Sequence, residues 1–321
     1  MSNRLPRWLS LLLFGLLLAG TALAMPASSV PADAAKGPPV PLLWRVTGQQ
    51  GATLYLLGSF HLLGAEDYPL AAAVDEAFAA SSRVLFELPA EDVQSPAIGQ
   101  QMQQAALRTD GRSLCEEIGQ AQWSALEAYA AQHGLSAAAM AGYKPWFVAL
   151  TVSLAEMSTQ GLDPALGLDQ HFMREAARAG KPTAGLETAA QQIALLDGMS
   201  SEEQRQMLAE ALDDARDGNR QTRVLHEVWR AGDAARLWSE MAMDMRREYP
   251  ALYRSINVER NDRWVPRLER FLQAGQGTTM VVVGSLHLLG ADGVVEKLRA
   301  KGYKVERVGH GGGQAAVAAG P

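Results

Sequence analysis

The sequence has little of several things on which common functional classes depend. It contains one cysteine, Cys115, among 321 residues, which excludes an intramolecular disulfide and a cysteine-rich zinc module. It has neither a P-loop nor a Gly-x-Ser-x-Gly nucleophile elbow. Its formal net charge of −6 argues against a nucleic-acid binder that neutralises phosphates. What is present, 48% hydrophobic and 20% charged residues, is typical of a folded globular protein.

The N-terminus predicts an export signal. Arg4 and Arg7 precede a short apolar run, residues 9–18, and Ala22-Leu23-Ala24 fits a small-x-small cleavage site. A membrane anchor is the alternative, but the run is short for a transmembrane helix. No cysteine lies near the site to carry a lipid. We therefore expect residues 1–24 to be removed and the protein to be periplasmic or secreted, without a stable membrane anchor.

Composition divides the remaining chain. Residues 25–40 are rich in Pro, Ala and Ser and predict a flexible leader, whereas residues 309–321 are of low complexity and predict a disordered tail. A globular domain is expected over 41–308. Its middle, about 95–250, is rich in Ala, Gln, Glu, Leu and Met and predicts a large helical insertion.

Strand and helix patterns flank that insertion on both sides. Apolar runs at 54–57 and 84–86 predict strands, with a helix between them over 69–82. After the insertion a helix is predicted over 257–273. A second strand–helix–strand series follows; its members are 280–283, 294–300 and 303–308. The predicted fold is α/β with α+β character, in which two βαβ halves form one mixed sheet.

An internal repeat marks the two halves. Residues 58–65 read GSFHLLGA and residues 284–291 read GSLHLLGA, identical at seven of eight positions. Each copy follows a predicted strand. Because parallel strands present ligands beyond their carboxyl ends, His61 and His287 are expected at one edge of the sheet. Glu87 follows the strand at 84–86.

Glu187 ends a further possible strand at 182–186. Two imidazoles with one or two carboxylates suit a divalent cation such as Zn²⁺, Mn²⁺ or Co²⁺, with open positions for water. The sequence therefore predicts a metal site whose candidate ligands are His61, His287, Glu87 and Glu187. Glu87 is alternatively a general base, and for Glu187 the alternative is a position outside the ligand shell. The plainer interpretation is that the repeats are structural turns and the carboxylates are solvated strand ends.

These motifs resemble the TraB/GumN family, which is related to the Tiki metalloproteases. The resemblance covers about 42–308 and rests on the two Gly-x-x-His motifs and on Glu87. Four further matches follow in family order: Lys144-Pro145-Trp146, Gly167-Leu168-Asp169, Gly185-Leu186-Glu187 and Arg260-Asn261.

The resemblance implies a metallohydrolase site at His61, Glu87 and His287. It suggests that Arg260 stabilises an oxyanion or pairs with an acid, that Asn261 orients a histidine or water, and that Asp169 lies behind the ligands. The expected function is an exported metal-dependent hydrolase of the peptidase type, with a peptide or protein substrate. A non-catalytic periplasmic protein that binds a ligand in the same cleft is the alternative.

Overall fold

The computed structural model describes residues 37–48, 50–218, 220–275 and 277–309. The predicted export signal lies outside these residues, as do the leader up to residue 36 and the tail from residue 310.

Within the described residues, six strands form one mixed sheet. They are β1 (Leu43–Thr47), β2 (Thr53–Ser59), β3 (Arg83–Phe86), β4 (Thr183–Gly185), β5 (Thr278–Gly284) and β6 (Lys304–Val308). Their spatial order is β4-β3-β5-β2-β1-β6. The pairs β4–β3, β3–β5 and β5–β2 are parallel, whereas β1 is antiparallel to both β2 and β6. The predicted α/β class with a mixed sheet is confirmed.

The two predicted βαβ halves interleave in this sheet. Helix α1 (Ala72–Ala80) joins β2 to β3, and α15 (Val294–Ala300) joins β5 to β6. Strand β5 lies between β2 and β3, and β2 and β1 lie between β5 and β6. The two strands of each half are therefore parallel to one another but are not hydrogen-bonded to each other.

Strands β2 and β5 form the centre of the sheet and fix the position of the repeats. Ser59 pairs with Gly284 in the parallel register. Both strands are apolar and almost wholly buried, as expected for parallel strands covered on both faces. The two Gly-x-x-His loops consequently leave the sheet side by side at the same edge.

The described residues between β3 and β5 form a series of helices joined by loops, with β4 as the one strand among them. Capping boxes at Ser113, Thr188 and Ser200 start three of these helices. Two π-helical turns, Ser239–Met243 and Arg254–Val258, interrupt the last part. The helices are α2 (Ala90–Val93), α3 (Pro96–Ala106), α4 (Leu114–Gln132), α5 (Ala137–Met140), α6 (Pro145–Thr159), α7 (Leu168–Arg178), α8 (Ala189–Asp197), α9 (Ser201–Arg216), α10 (Arg220–Arg230), α11 (Ala234–Trp238), α12 (Asp244–Glu248), α13 (Pro250–Tyr253) and α14 (Glu259–Gln273). No helix in the described part of the chain is long and apolar enough to span a membrane.

The structure differs from the predicted elements in two places. Strand β1 was not predicted; it pairs with the neighbouring β2 and with β6, which is distant in sequence. The helix predicted over 69–82 begins only at Ala72. Within the predicted helical insertion, α4 contains a kink at Gly119, where φ is 78° and a glycine is favoured.

Asp67 joins the loop after the first repeat to α10. Its side chain is fully buried, at 0% exposure. It accepts hydrogen bonds from Gly64 N at 2.7 Å, from His226 Nε2 at 2.8 Å and from Arg230. His226 and Arg230 are four residues apart and therefore lie on one helix face. The His226–Arg230 stretch, which superficially resembles a zinc-protease helix, thus holds the first repeat's loop in place.

We expect the stabilisation from Asp67 to be lost in acid. Burial opposes ionisation, but His226, the Gly64 N–H and Arg230 outweigh it and hold the pKa of Asp67 below its usual value. A carboxylate with a lowered folded-state pKa stabilises the fold above its unfolded pKa, about 3.9. That contribution disappears as the pH falls through the folded-state pKa.

Urea unfolding measures this effect. The wild type should be more stable than Asp67→Asn at about pH 6, and the difference should shrink as the pH falls below about 4. A difference that stays constant across this range would show that the charge of Asp67 does not stabilise the fold.

Candidate functional site

Three predicted site residues converge on Gly284. A methyl group placed on its Cα would lie 3.1 Å from Glu87 Oε1, 3.4 Å from His61 Nε2 and 3.7 Å from His287 Cδ2. His61 follows β2, Glu87 follows β3, and Gly284 ends β5 just before His287. The structure therefore brings both repeats and the first strand-end carboxylate together at the carboxyl edge of the sheet.

His61 is held by a carboxylate. Its Nδ1 lies 2.6 Å from Asp169 Oδ2, on α7, and Ser59 Oγ donates to the other oxygen of Asp169 at 3.0 Å. Burial disfavours a charged imidazole, but Asp169 outweighs it and raises the pKa of His61 to about 9. No hydrogen bond to His61 Nε2 occurs among the described residues. Asp169 thus orients the ring through Nδ1, and Nε2 on the opposite side of the ring faces Gly284.

His287 is held by neutral and cationic partners instead. Its Nδ1 lies 2.7 Å from Asn261 Oδ1, and Arg260 Nη1 donates to its Nε2 at 2.9 Å. The Trp264 ring lies against it with a centroid separation of 4.4 Å. Burial and the Arg260 charge lower the pKa of His287 to about 3. The imidazole is therefore neutral, with its proton on Nδ1.

Glu87 is an ionised carboxylate within this cluster. Its Oε1 accepts from the Gly284 backbone N–H at 2.7 Å, and its Oε2 accepts from Arg260 Nη2 at 2.5 Å. Burial raises its pKa, but the Arg260 and His61 charges and the Gly284 N–H dominate and lower the pKa of Glu87 to about 2. Its Oε1 lies 3.9 Å from His287 Nε2.

Glu187 lies on the far side of Arg260 from the histidines. It accepts from Arg260 Nε at 3.1 Å and also from Arg260 Nη2, and Gln192 Nε2 donates to it at 2.6 Å. The structure thus pairs Glu187 with the guanidinium, the pairing that was one of the two expectations for Arg260.

Arg260 is the central cation of the site. Its side chain is 4% exposed, and its N–H groups all have acceptors: Glu87, Glu187, His287 Nε2 and the Ile256 carbonyl. The surrounding carboxylates outweigh burial and raise the pKa of Arg260 further above its usual value. The guanidinium therefore stays charged and fixes the spacing of the carboxylates.

Some of these contacts were not predicted from the sequence. Gln192 bonds both Glu187 and, at 3.3 Å, Glu87, and no motif signals it. Ser285 Oγ donates to the Ser59 backbone carbonyl at 2.8 Å. Ser59, in contrast, donates to the Asp169 carboxylate rather than to the backbone.

Comparison with known protein families supports the family resemblance that the repeats indicate. The family model of the TraB/PrgY/gumN family matches residues 42–307. The chain belongs to the TraB/PrgY/gumN family. No curated protein and no solved structure matches the chain at a significant level. The matched range contains both Gly-x-x-His motifs and every residue of the site described above, so the site of this TraB/PrgY/gumN family member lies wholly within the family domain.

The donor set fits a divalent cation in chemistry and charge. Each histidine has its Nδ1 held by an oxygen, the arrangement that orients metal-binding imidazoles. Glu87, Glu187 and Asp169 supply three buried carboxylates. The pKa of about 9 keeps His61 protonated at neutral pH, so a cation at its Nε2 would have to displace that proton. With both imidazoles then neutral, Arg260 would balance one of the three carboxylate charges, and a divalent cation would balance the other two.

The position of Arg260 is unfavourable for a cation bound between the two histidines. Arg260 Nη1 engages His287 Nε2, and within the described ranges no three His, Cys, Asp or Glu side chains are assembled as a metal-holding group. A cation at His61, Glu87 and His287 therefore requires Arg260 to release His287 Nε2.

Replacing Gly284 by alanine should obstruct the space between these donors. The backbone at Gly284 has φ −50° and ψ 137°, which any residue adopts. The new methyl group would meet Glu87 Oε1 and His61 Nε2. We expect the affinity for Zn²⁺ to fall by at least about 10-fold and the unfolding free energy by about 1–2 kcal/mol.

The repeat supplies a matched control in Gly58→Ala. A methyl group there would lie 3.0 Å from Ser285 Oγ and 3.1 Å from Leu42 Cβ, and none of its three nearest atoms belongs to a histidine. Calorimetric titration of both variants with Zn²⁺ measures whether the added methyl group blocks the metal site. Urea unfolding measures how much each methyl group destabilises the fold by overpacking. Equal losses of Zn²⁺ affinity in the two variants would contradict the location of the site at Gly284.

Proposed function

We propose that this protein is an exported metal-dependent hydrolase that cleaves peptide bonds. The observation that carries the proposal is the convergence of His61 Nε2, Glu87 Oε1 and His287 on Gly284, at the edge where parallel sheets hold their ligands.

His61, Glu87 and His287 are the residues that would hold Zn²⁺, Mn²⁺ or Co²⁺. When bound, such a cation supplies a water of lowered pKa and polarises a substrate carbonyl. Asp169 and Asn261 orient the two imidazoles through their Nδ1 atoms. The lowered pKa of Glu87 supports a ligand role, because a general base works best with a pKa near the working pH.

Arg260 is the residue proposed to face the scissile carbonyl. Its Nη1 donates to His287 Nε2, so engagement of that lone pair elsewhere would free one N–H for a substrate oxygen. Glu187 and Gln192 would keep the rest of the guanidinium in place. An N–H donor directed at a developing oxyanion lowers the barrier to acyl transfer.

The proposed substrate is a peptide or protein in the periplasm or outside the cell. This assignment depends on the predicted export signal and on the family resemblance to metalloproteases. The net charge of −6 gives no basis for a nucleic-acid substrate.

Cleavage of a peptide library tests the proposal. The mature protein, residues 25–321, is reloaded separately with Zn²⁺, Mn²⁺ and Co²⁺, and products are identified by mass spectrometry. We expect cleavage that a chelator abolishes and that one of the metals restores. Stoichiometric metal and peptide binding without any cleavage would instead support the ligand-binding alternative.

A further inference from the structure

A row of polar side chains leads away from the rear of His287. Tyr253, Asn257 and Asn261 are spaced four residues apart along α13, the π-helical turn and α14. This spacing places them on one face of the segment. Asp292, from the loop after the second repeat, meets the row at its far end.

The hydrogen bonds along this row all point in one direction. His287 Nδ1–H donates to Asn261 Oδ1 at 2.7 Å, and Asn261 Nδ2 donates to Asn257 Oδ1 at 3.3 Å. Asn257 Nδ2 donates to Tyr253 Oη at 3.2 Å, and that hydroxyl donates to Asp292 Oδ2 at 3.0 Å. Asn261, Asn257 and Tyr253 each accept from the preceding group and donate to the next.

Other contacts hold this direction. Asn261 Nδ2 also donates to the Asp292 backbone carbonyl at 2.8 Å, which fixes the orientation of the Asn261 amide with its oxygen toward His287. Asn257 and Asn261 are 0% exposed, so neither amide is in contact with bulk solvent. The row ends in the partly exposed carboxylate of Asp292.

Consecutive hydrogen bonds that share one direction polarise one another, above all in a buried setting. The carboxylate at the end of the row thus strengthens the acceptor that Asn261 presents to His287. His61 meets its carboxylate, Asp169, directly, whereas His287 reaches one through three neutral groups. The two histidines of the repeat therefore differ in the charge behind them.

We propose that Tyr253, Asn257 and Asp292 are positioning residues that hold His287 in the Nδ1–H tautomer, with its Nε2 lone pair facing the candidate site. The inference deepens the proposed function, since it concerns a histidine assigned there as a ligand. It assigns a role to three residues that neither the repeats nor the site motifs include.

Nitrogen NMR of the His287 ring tests the tautomer without metal or substrate. The ¹⁵N-labelled protein is compared with Tyr253→Phe, and the His287 signals are identified by their loss in His287→Gln. We expect the wild type to show a protonated Nδ1 and an unprotonated Nε2. In Tyr253→Phe the Nδ1 proton should shift and exchange with solvent about fivefold faster, as for the loss of one ordinary hydrogen bond.

Tyr249→Phe is the matched control. Tyr249 precedes α13 by one residue, and its buried hydroxyl has no hydrogen-bond partner in the described structure. Its removal should leave the His287 signals unchanged. Asp292→Asn is the second variant, for use if Tyr253→Phe does not fold. It should shift the NMR signal of the His287 Nδ1 proton in the same direction as Tyr253→Phe, but by a smaller amount.

Two results would overturn the inference. One is an Nε2–H tautomer in the wild type, and the other is a His287 signal that neither Tyr253→Phe nor Asp292→Asn moves. Zn²⁺ titration separates this inference from the proposed function: absence of Zn²⁺ binding in the wild type would reject the metal proposal and leave the NMR result standing. Where Zn²⁺ binds, Tyr253→Phe should weaken binding about 10-fold and Tyr249→Phe should not.

Discussion

Replacement of Arg260 by methionine is expected to lower the free energy of unfolding by about 3–5 kcal/mol. The guanidinium bonds Glu87 and Glu187, which are 7% and 5% exposed. Methionine fills a similar volume but leaves both carboxylates buried, adjacent and without their cation. A buried charge without its partner costs far more than an ordinary lost contact.

Arg263→Met is the control for this change. Arg263 lies on the same helix, α14, and is exposed, so its replacement should change the unfolding free energy by no more than about 0.5 kcal/mol. Adding Glu187→Gln to Arg260→Met should recover part of the loss, because one of the unpaired charges is then removed. Equal stability of the Arg260 and Arg263 variants in urea would contradict the central position of this ion network.

Replacement of Glu87 by glutamine is expected to weaken Zn²⁺ binding by at least about 100-fold. Loss of a residue that merely orients a ligand costs up to about this factor, and the proposal makes Glu87 a ligand. The substitution keeps the shape and an oxygen for the Gly284 N–H, but it removes the charge that Arg260 holds ionised.

Glu187→Gln separates the two carboxylates. It is the same chemical change on the other partner of Arg260, but Glu187 bonds Arg260 and Gln192 rather than the space at Gly284. We expect it to weaken Zn²⁺ binding by about 10-fold or less. Titration with Zn²⁺ in the presence of a competing chromophoric chelator measures the Zn²⁺ affinity of both variants. A larger loss of Zn²⁺ affinity in Glu187→Gln than in Glu87→Gln would reverse the proposed roles of the two carboxylates.

The repeat made the centre of the sheet predictable. Two near-identical loops after strands, in a parallel sheet, must lie at the same edge, and the register of Ser59 opposite Gly284 places them as neighbours. Glu87 was predictable for the same reason, since it follows a strand that pairs directly with β5. These positions follow from topology alone.

Contacts made by the helices were less predictable. Glu187 is near the expected edge, but its partner is decided by α14, which places Arg260 between Glu187 and the histidines. Gln192 and Asn257 lie on helices without any motif. Their contacts depend on how those helices pack, and a sequence pattern gives the face of a helix but not the residue opposite.

The metal content of the purified protein shows whether the two histidines of the repeat form one metal site. The mature wild type, His61→Ala and His287→Ala are reloaded with Zn²⁺, Mn²⁺ or Co²⁺, desalted, and measured by elemental mass spectrometry, with circular dichroism to verify folding. We expect about one ion per chain in the wild type, as for a single shared site, and its loss in both folded variants. A folded wild type that holds no stoichiometric metal, or variants that both retain it, would rule out a metal site shared by His61 and His287.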